Sequence, residues 1–520
     1  MNGAENLLNT LVEAGVDVCF ANPGTSEMQL LSAIGNSEGM RAVLCLFEGV
    51  VSGAADGYAR MADKPALTLL HLGSGFANSM ANQHNANRAH VPLVNMVGDH
   101  ADYHLKYDAP LTSDVKGHCE LVSRWVGVAE SADDLAKVGA RAVQESLRNN
   151  GQVTSFIAPA NFTWEPATQP AAPLPVPSAN RVPDATIEHV ASALAQGKRT
   201  ALFLGGRALR QENLELAGRI AHHCNAALLC ETFPTRLQRG AGRVAVQRLP
   251  YFAEQAAAAL QDFEQLVLIG SKSPVSFFAY PGKPSDLVPE SCSVEQLVGF
   301  DEDIADALSR LAGKLEAGPV GPLTPAAGNA TAPTGPLNPE ALGLAITRHL
   351  PADAIVSDEA ATCGLGIFGH TLQAAPHDWL TLTGGAIGQG LPLALGAAIA
   401  CPGRKVVALQ ADGSGMYTVQ ALWSMVREQV DVTVVIMNNR SYAILAIELA
   451  RVGAGQPTPK TLSMLSLANP DLNWVELARG MGMPASRASS AEEFEQQFKA
   501  AMASKGPQLI EAMVVQQRPA

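Results

Sequence analysis

Short apolar runs alternate with helical stretches along the whole chain. Leu7, Leu8, Leu11 and Val12 recur at helical spacing and predict an amphipathic first helix, closed by Gly15. Residues 16–20 then read as a strand that ends in the loop Asn22-Pro23-Gly24-Thr25. Residues 42–47 form a second predicted strand, ending at Glu48-Gly49 and followed by a Gly/Ala-rich helix over 50–61. A third covers 66–71, with a Gly-rich loop at 72–75 behind it, and a fourth covers 93–97. After a Pro/Ala-rich stretch at 164–183, a helix begins over 187–194, and strands follow at 200–204 and 266–269. A second Pro/Gly/Ala-rich stretch, 318–339, precedes predicted strands at 354–356, 406–409, 432–437 and 509–515. This alternation predicts an α/β protein of three doubly wound parallel-sheet domains, over residues 1–165, 184–315 and 339–520. A length of 520 residues fits domains of ~150 residues each.

The stretch 406–442 carries the most chemistry. An apolar strand breaks at Asp412-Gly413-Ser414-Gly415. A helix follows, with Leu422, Met425 and Val426 on one face, and a second apolar strand ends at Asn438-Asn439. Both breaks fall at the ligand-binding edge of a parallel sheet, so Asp412 and Asn439 converge although 27 positions apart. A carboxylate and a neutral carbonyl oxygen suit a hard cation such as Mg2+, which takes few protein ligands and completes its shell with phosphate. Gly413, Ser414 and Gly415 open a helix, whose bare N–H groups can face that phosphate. Asp-Gly and Asn-Asn are also ordinary turn pairs. It is their joint position on two strand ends of one βαβ unit that points to a diphosphate bridged by Mg2+.

Composition narrows the picture. Hydrophobic residues make up 47% and charged residues 16%, so large buried cores are feasible. A net charge of −13 argues against a nucleic-acid partner and against an anionic membrane surface. The eight cysteines show no CxxC pairing and several lie in apolar runs, as expected of reduced thiols in a cytoplasmic protein. The N-terminus lacks a basic region before its apolar residues, so no signal peptide is expected.

Asp-Gly followed about 27 positions later by Asn-Asn resembles the cofactor motif of the thiamin diphosphate (ThDP) superfamily of acetolactate synthase, benzoylformate decarboxylase and pyruvate decarboxylase. The family usually has Gly-Asp-Gly, and Ala411 stands in the first place here. The resemblance covers essentially the whole chain. It implies Asp412, Asn439 and the carbonyl of Ser441 as Mg2+ ligands, with Gly413, Ser414 and Tyr442 in the same cofactor-binding segment. Ala361 and Thr362, after the strand at 354–356, would touch the diphosphate. In TLTGGAIGQG, Gly385 would offer its carbonyl to the aminopyrimidine, and Ile387 would sit beneath the bent cofactor. LFEGVVSGAADGYAR resembles the segment bearing the carboxylate that shares a proton with the pyrimidine ring. That assigns Glu48, although an isolated Glu there is more often a helix-start charge. LLHLGSGFANSM and NPGTSE resemble benzoylformate decarboxylase, and imply His71 and Thr25 as the residues handling the substrate carboxylate and protons. That enzyme's second active-site histidine has no counterpart in SPVSFFAYPGKPS, which offers Phe277, Phe278 and Tyr280. Benzoylformate itself is therefore not the expected substrate.

The implied reaction is ThDP- and Mg2+-dependent cleavage of a 2-oxo acid. The resulting C2 enamine is protonated to an aldehyde or ligated to an acceptor aldehyde or ketone. The chain is similar to the acetolactate synthase large-subunit subgroup, yet the Gln- and Lys-bearing segments of true acetolactate synthases are not evident around YDAPLTSD and LVSRWV. The family shares its site between two chains, implying a homodimer or homotetramer. Two alternatives stand. One is a non-catalytic paralogue that keeps the fold; the presence of Glu48, Asp412 and Asn439 argues against it. The other is an oxidoreductase using FAD or NAD in the middle domain. Gly205-Gly206 is a turn or close-packing signal and no GxGxxG follows a strand, so neither nucleotide is expected. His222-His223-Cys224 lies in a helical pattern without further ligands and reads as structural.

Overall fold

A computed structural model describes residues 1–176, 178–326, 328 and 331–515. It contains three sheets. The first is built from β1 (Val18–Asn22), β2 (Arg41–Leu44), β3 (Ala66–Leu70), β4 (Leu93–Asp99), β5 (Trp125–Val128) and β6 (Val153–Pro159). They run parallel in the order β2-β1-β3-β4-β6-β5. The chain starts at β1 and winds out to either side, so the sheet reverses direction between β1 and β3. The loops after those two strands begin at Pro23 and His71. The Gly-rich segment expected as a loop at 72–75 is instead the first turn of a helix, Leu72–Ala89. Its glycines serve packing: a Cβ on Gly73 would lie 2.2 Å from Ser113 Oγ.

The middle segment supplies β7 (Thr200–Leu204), β8 (Ala227–Cys230), β9 (Leu237–Arg239), β10 (Gln247–Arg248), β11 (Gln265–Ile269) and β12 (Ser293–Val298). Five of these form a parallel sheet ordered β10-β8-β7-β11-β12. The sixth, β9, leaves it and pairs antiparallel with a strand of the third sheet.

That third sheet is built from β13 (Ala354–Glu359), β14 (His377–Thr381), β15 (Val406–Ala411), β16 (Val432–Asn438), β17 (Ala485–Ala488) and β18 (Gln508–Met513). Its order is β17-β18-β16-β15-β13-β14-β9. All seven residues of β16 are buried, as they must be in a parallel strand covered on both faces. Direction reverses between β13 and β15, and the loop after β15 opens at Asp412. No helix among the described residues is long and apolar enough to cross a membrane.

Two helices lock the first and third sheets together. Glu48–Ala62 packs along Gly390–Ala400, whose sequence GLPLALGAAIA is apolar all round and almost wholly buried. Glycines let the backbones touch. A Cβ on Gly396 would lie 1.8 Å from the Ala54 carbonyl oxygen, and one on Gly57 2.1 Å from that of Leu393. On the Glu48–Ala62 helix Arg60 and Asp56 form a fully buried ion pair. Arg60 spends all five donors, on Asp56, the carbonyls of Thr235 and Thr381, and Thr383 Oγ1. Gly396→Ala puts a methyl group against backbone that no rotamer change can clear. We expect it to destabilise the protein by ~1–3 kcal/mol, read as a lowered Tm.

Candidate active site

The first and third sheets each present a cluster of polar side chains at the reversal point. At the first sheet, Glu48 opens its helix and is 7% exposed. Its two oxygens accept hydrogen bonds from the side-chain amides of Asn22 and Asn78, both at 3.0 Å. A Cβ on Gly75 would come within 3.4 Å of Glu48 Oε1, so the first turn of the Leu72–Ala89 helix lies against the carboxylate.

His71 caps that helix and is partly exposed. Its Nδ1 lies 2.8 Å from Glu27 Oε2 and 3.2 Å from Ser26 Oγ. Glu27 is fully buried and also accepts the Gly24 N–H at 2.9 Å and the Ser26 hydroxyl at 2.6 Å. Gly24 has to be glycine, because a Cβ there would lie 2.1 Å from the ring nitrogen of His71. Thr25 is exposed on the same short 3-10 turn and takes no part in this set. The motif NPGTSE drew attention to Thr25, whereas the residue that fixes His71 is Glu27. The sequence offered only a carboxylate five residues past an apolar strand, and its burial shows in the fold. Leu72, the next residue, has φ +52°, a strained conformation for a branched side chain, held in place by the surrounding structure. His71→Ala is expected to lower turnover by ~10²-fold. Glu27→Gln should act in the same direction by less, because the ring remains and only its anchor weakens. Steady-state kinetics on the substrate found by the screen described below checks both.

At the third sheet, Asp412 is 1% exposed. Its oxygens accept the backbone N–H groups of Gly413 at 3.0 Å and Arg440 at 2.8 Å. No cationic side chain is ion-paired to it among the described residues, and burial pushes its carboxyl up to about 6. Asn439 lies at the end of the neighbouring strand. Its Oδ1 accepts from the Ser441 N–H at 3.0 Å and its amide donates to Cys363 Sγ at 3.4 Å. An amide oxygen has two lone pairs, so one stays available. A buried, unpaired carboxylate beside a spare amide oxygen fits a hard divalent cation. The donor set contains one carboxylate, as expected of Mg2+ held chiefly by a phosphate ligand. Tyr442 packs its ring on the turn, so a Cβ on Gly413 would lie 2.5 Å from it. Ser414 faces inward, within hydrogen-bond reach of Gln410 and the Ala411 carbonyl, and Gly415 packs on Trp474. The helix they open has only four residues, Asp412–Gly415.

The turn 384–388 ties the third sheet to the first. Its carbonyls at Gly384, Ala386 and Gly388 are held by His84, Asn85 and Asn82 of the first sheet's Leu72–Ala89 helix. The Gly385 carbonyl takes no part in those bonds. Gly385 itself has φ +75°, which suits glycine. Ile387 is half-buried beside it. From below, the buried Glu359 accepts the N–H groups of Gly388 and Gly390, both at 2.6 Å. Burial raises its pKa against these hydrogen bonds. Glu359 ends an apolar strand, much as Glu48 stands close after one, and its burial and partners became visible in the fold. Ala361, just after it, has φ +48° and is exposed, and Thr362 is half-buried.

The aromatic loop reaches this turn. A Cβ on Gly385 would lie 2.9 Å from the Phe277 ring, which packs on Tyr251 and Phe233 at centroid distances of 5.3 and 5.7 Å. Tyr280 donates to Glu448 at 2.7 Å, tying the loop to the helix Ala443–Arg451. His222, His223 and Cys224 end a helix with both histidines exposed. No group of three or more His, Cys, Asp or Glu placed to hold a metal occurs among the described residues.

Residues 1–119 match a family model described as thiamine pyrophosphate enzyme, N-terminal TPP binding domain. Residues 364–512 match the corresponding C-terminal TPP binding domain. A Mycobacterium tuberculosis protein provisionally named acetolactate synthase large subunit IlvX is 50% identical over 515 residues, covering 99% of each chain. Benzoylformate decarboxylase of Pseudomonas aeruginosa is 28% identical over 533 residues, covering 96% of each. Among solved structures, the ThDP-dependent 4-hydroxybenzoylformate decarboxylase of Rhodococcus jostii RHA1 superposes with a TM-score of 0.87 over the whole of both chains, at 23% identity.

Proposed function

The chain belongs to the thiamine pyrophosphate enzymes, related to acetolactate synthase and benzoylformate decarboxylase, and from that premise we propose that it cleaves a 2-oxo acid next to its keto group. In this reading it works with ThDP and Mg2+ as a decarboxylase or carboligase, at sites shared between two copies of the chain. The observation that carries the reading is a pair of buried carboxylates, Glu48 and Asp412, each opening a helix at its own sheet edge. One is dressed with neutral amide donors and the other with backbone N–H groups.

When bound, the coenzyme supplies the electron sink for the bond that breaks. Asp412, Asn439 and the Ser441 carbonyl hold the cation. Gly413, Ser414, Ala361 and Thr362 line the diphosphate, and Tyr442 walls the turn. The Gly385 carbonyl would accept a hydrogen bond from the coenzyme's amine, and Ile387 would give it an apolar support. Glu48 holds a proton at the pyrimidine ring nitrogen. Thr25 and His71 orient the substrate carboxylate, and His71 moves the proton that completes the product, with Glu27 fixing its ring. Phe277 and Phe278 give the substrate side chain an apolar wall, which favours 2-oxo acids with apolar substituents.

The test is purified protein loaded with ThDP and Mg2+, offered a panel of 2-oxo acids with and without an acceptor aldehyde, with products identified by mass. An aldehyde, or a hydroxyketone when the acceptor is present, is the expected result. Tight coenzyme binding with no turnover across the panel would favour a non-catalytic role.

A further inference from the structure

At the far end of the Glu48 helix a second charged site lies where the three sheets meet. Arg60 is twelve residues from Glu48, roughly 18 Å along the helix. Around its carbonyl gather Arg210, which follows β7 and its Gly205-Gly206 turn, and Arg236, which leads into β9. Arg207 joins them from the same turn as Arg210.

The charges there do not balance. Asp63 alone faces three guanidiniums: Arg210 at 3.0 Å, Arg236 at 3.6 Å and Arg207 at 3.8 Å. The next carboxylate, Asp378 on β14, is shared between Arg236 and Arg404. Four guanidiniums thus meet two carboxylates within these ion pairs. Arg60 cannot help, since Asp56 neutralises it and its donors are all used. His90 adds no charge: burial pushes it down to about 4, and its ring stacks on Phe300 at 4.5 Å. Meanwhile Arg210 Nη1 is buried with no hydrogen-bond partner, a costly state for a guanidinium N–H. Its neighbours enclose a cavity of about 40 Å3, lined by Arg207, Arg210, Arg236, His90 and Phe300. At ~10–15 Å3 per water, that is room for roughly three waters. A phosphate or a carboxylate is of that scale.

We propose that this cluster binds a small oxyanion, a phosphate or a carboxylate, through Arg207, Arg210 and Arg236. The oxyanion gives Arg210 Nη1 an acceptor and offsets the surplus positive charge, in the geometry for which guanidinium is suited. Because the three arginines reach the site from two segments, the turn after β7 and the approach to β9, and pack on Asp63 and Asp378 beside the other two sheets, the ligand also clamps the three sheets to one another. Anything bound only by the folded state stabilises it by mass action.

The test is calorimetric titration of the full chain, already loaded with ThDP and Mg2+ so that the coenzyme site is filled. Inorganic phosphate is one arm and acetate the other, with chloride matching ionic strength. One saturable site per chain is expected in at least one arm, and the arm that saturates identifies the anion. Arg210→Gln should weaken it at least tenfold. Arg207→Gln, whose side chain is 44% exposed and tolerates replacement, should weaken it too and serves if the first variant does not fold. No saturable binding in either arm, or equal affinity in wild type and in Arg207→Gln, overturns the proposal. Neither outcome bears on 2-oxo acid cleavage, because the readout is anion binding and not turnover.

Discussion

Glu48→Gln should lower kcat on the 2-oxo acid by ~10²–10⁴-fold while coenzyme affinity changes little. The expectation follows from how the carboxylate is held. Both oxygens are engaged by amide donors, and the group is shielded from water by the Leu72–Ala89 helix. Asn22 and Asn78 fix its position without neutralising it. A Gln side chain fills the same volume, but its Nε2 must face one of those amide donors and can no longer exchange a proton with a ring nitrogen. Binding of the diphosphate and cation involves the other sheet edge, so the dissociation constant should stay within a few-fold. Glu48→Asp provides the complementary case: it retains the acid but withdraws it by one methylene, so it should keep more activity than the amide. Kinetics and coenzyme titration by intrinsic fluorescence separate the two effects. A kcat within threefold of wild type in Glu48→Gln would remove the residue from the chemistry.

The fold was legible because parallel strands are buried on both faces. Runs such as VTVVIM on β16 therefore stand out without any alternation to decode. Breaks immediately after such runs mark the ligand edge, which is what singled out Asp412 and Asn439, whereas Glu48 and His71 rested on the resemblance of their segments to a family. What escaped depends on long-range packing. Leu72–Gly75 has the composition of a loop, yet tertiary contacts at Gly73 and Gly75 admit the helix there. β9 is three residues long, and nothing in LQR announces that it crosses to another sheet. Glu27 was passed over because the hydroxyl beside it drew attention, and Glu359 because SDEAAT reads as a plain helix start. Both became visible only once their partners, His71 and the 388–390 turn, were brought to them over 44 and 29 or more positions. The reach of Phe277 to Gly385 escaped likewise, since a loop's destination is not written in its own residues.

Asp412→Asn should produce two changes of opposite sign. In the protein free of coenzyme, the buried carboxylate has no counter-charge among the described side chains, and its pKa stands at about 6 against an ordinary 3.8. The folded state therefore holds that proton more tightly than the unfolded chain does. On this account apoprotein stability is full below about pH 4 and declines as pH rises through 4 to 6. A shift of about two units corresponds to ~3 kcal/mol lost at neutral pH. The amide removes that ionisation but can satisfy only one of the two N–H groups from Gly413 and Arg440, returning ~1 kcal/mol. A net gain on the order of 1–2 kcal/mol should appear as a higher apoprotein Tm at pH 7–8 that vanishes near pH 4. With Mg2+ and ThDP present the order reverses. The wild-type carboxylate gains the cation that matches it, and the folded state is stabilised in proportion to ligand concentration over Kd. The amide is a neutral ligand, and its affinity for the cation–diphosphate pair should fall by ~100-fold or more. Thermal unfolding at two pH values, with and without saturating coenzyme, yields all four quantities from one variant. If Asn raises neither the apoprotein Tm nor the coenzyme Kd, Asp412 is a turn residue and the cation is held elsewhere.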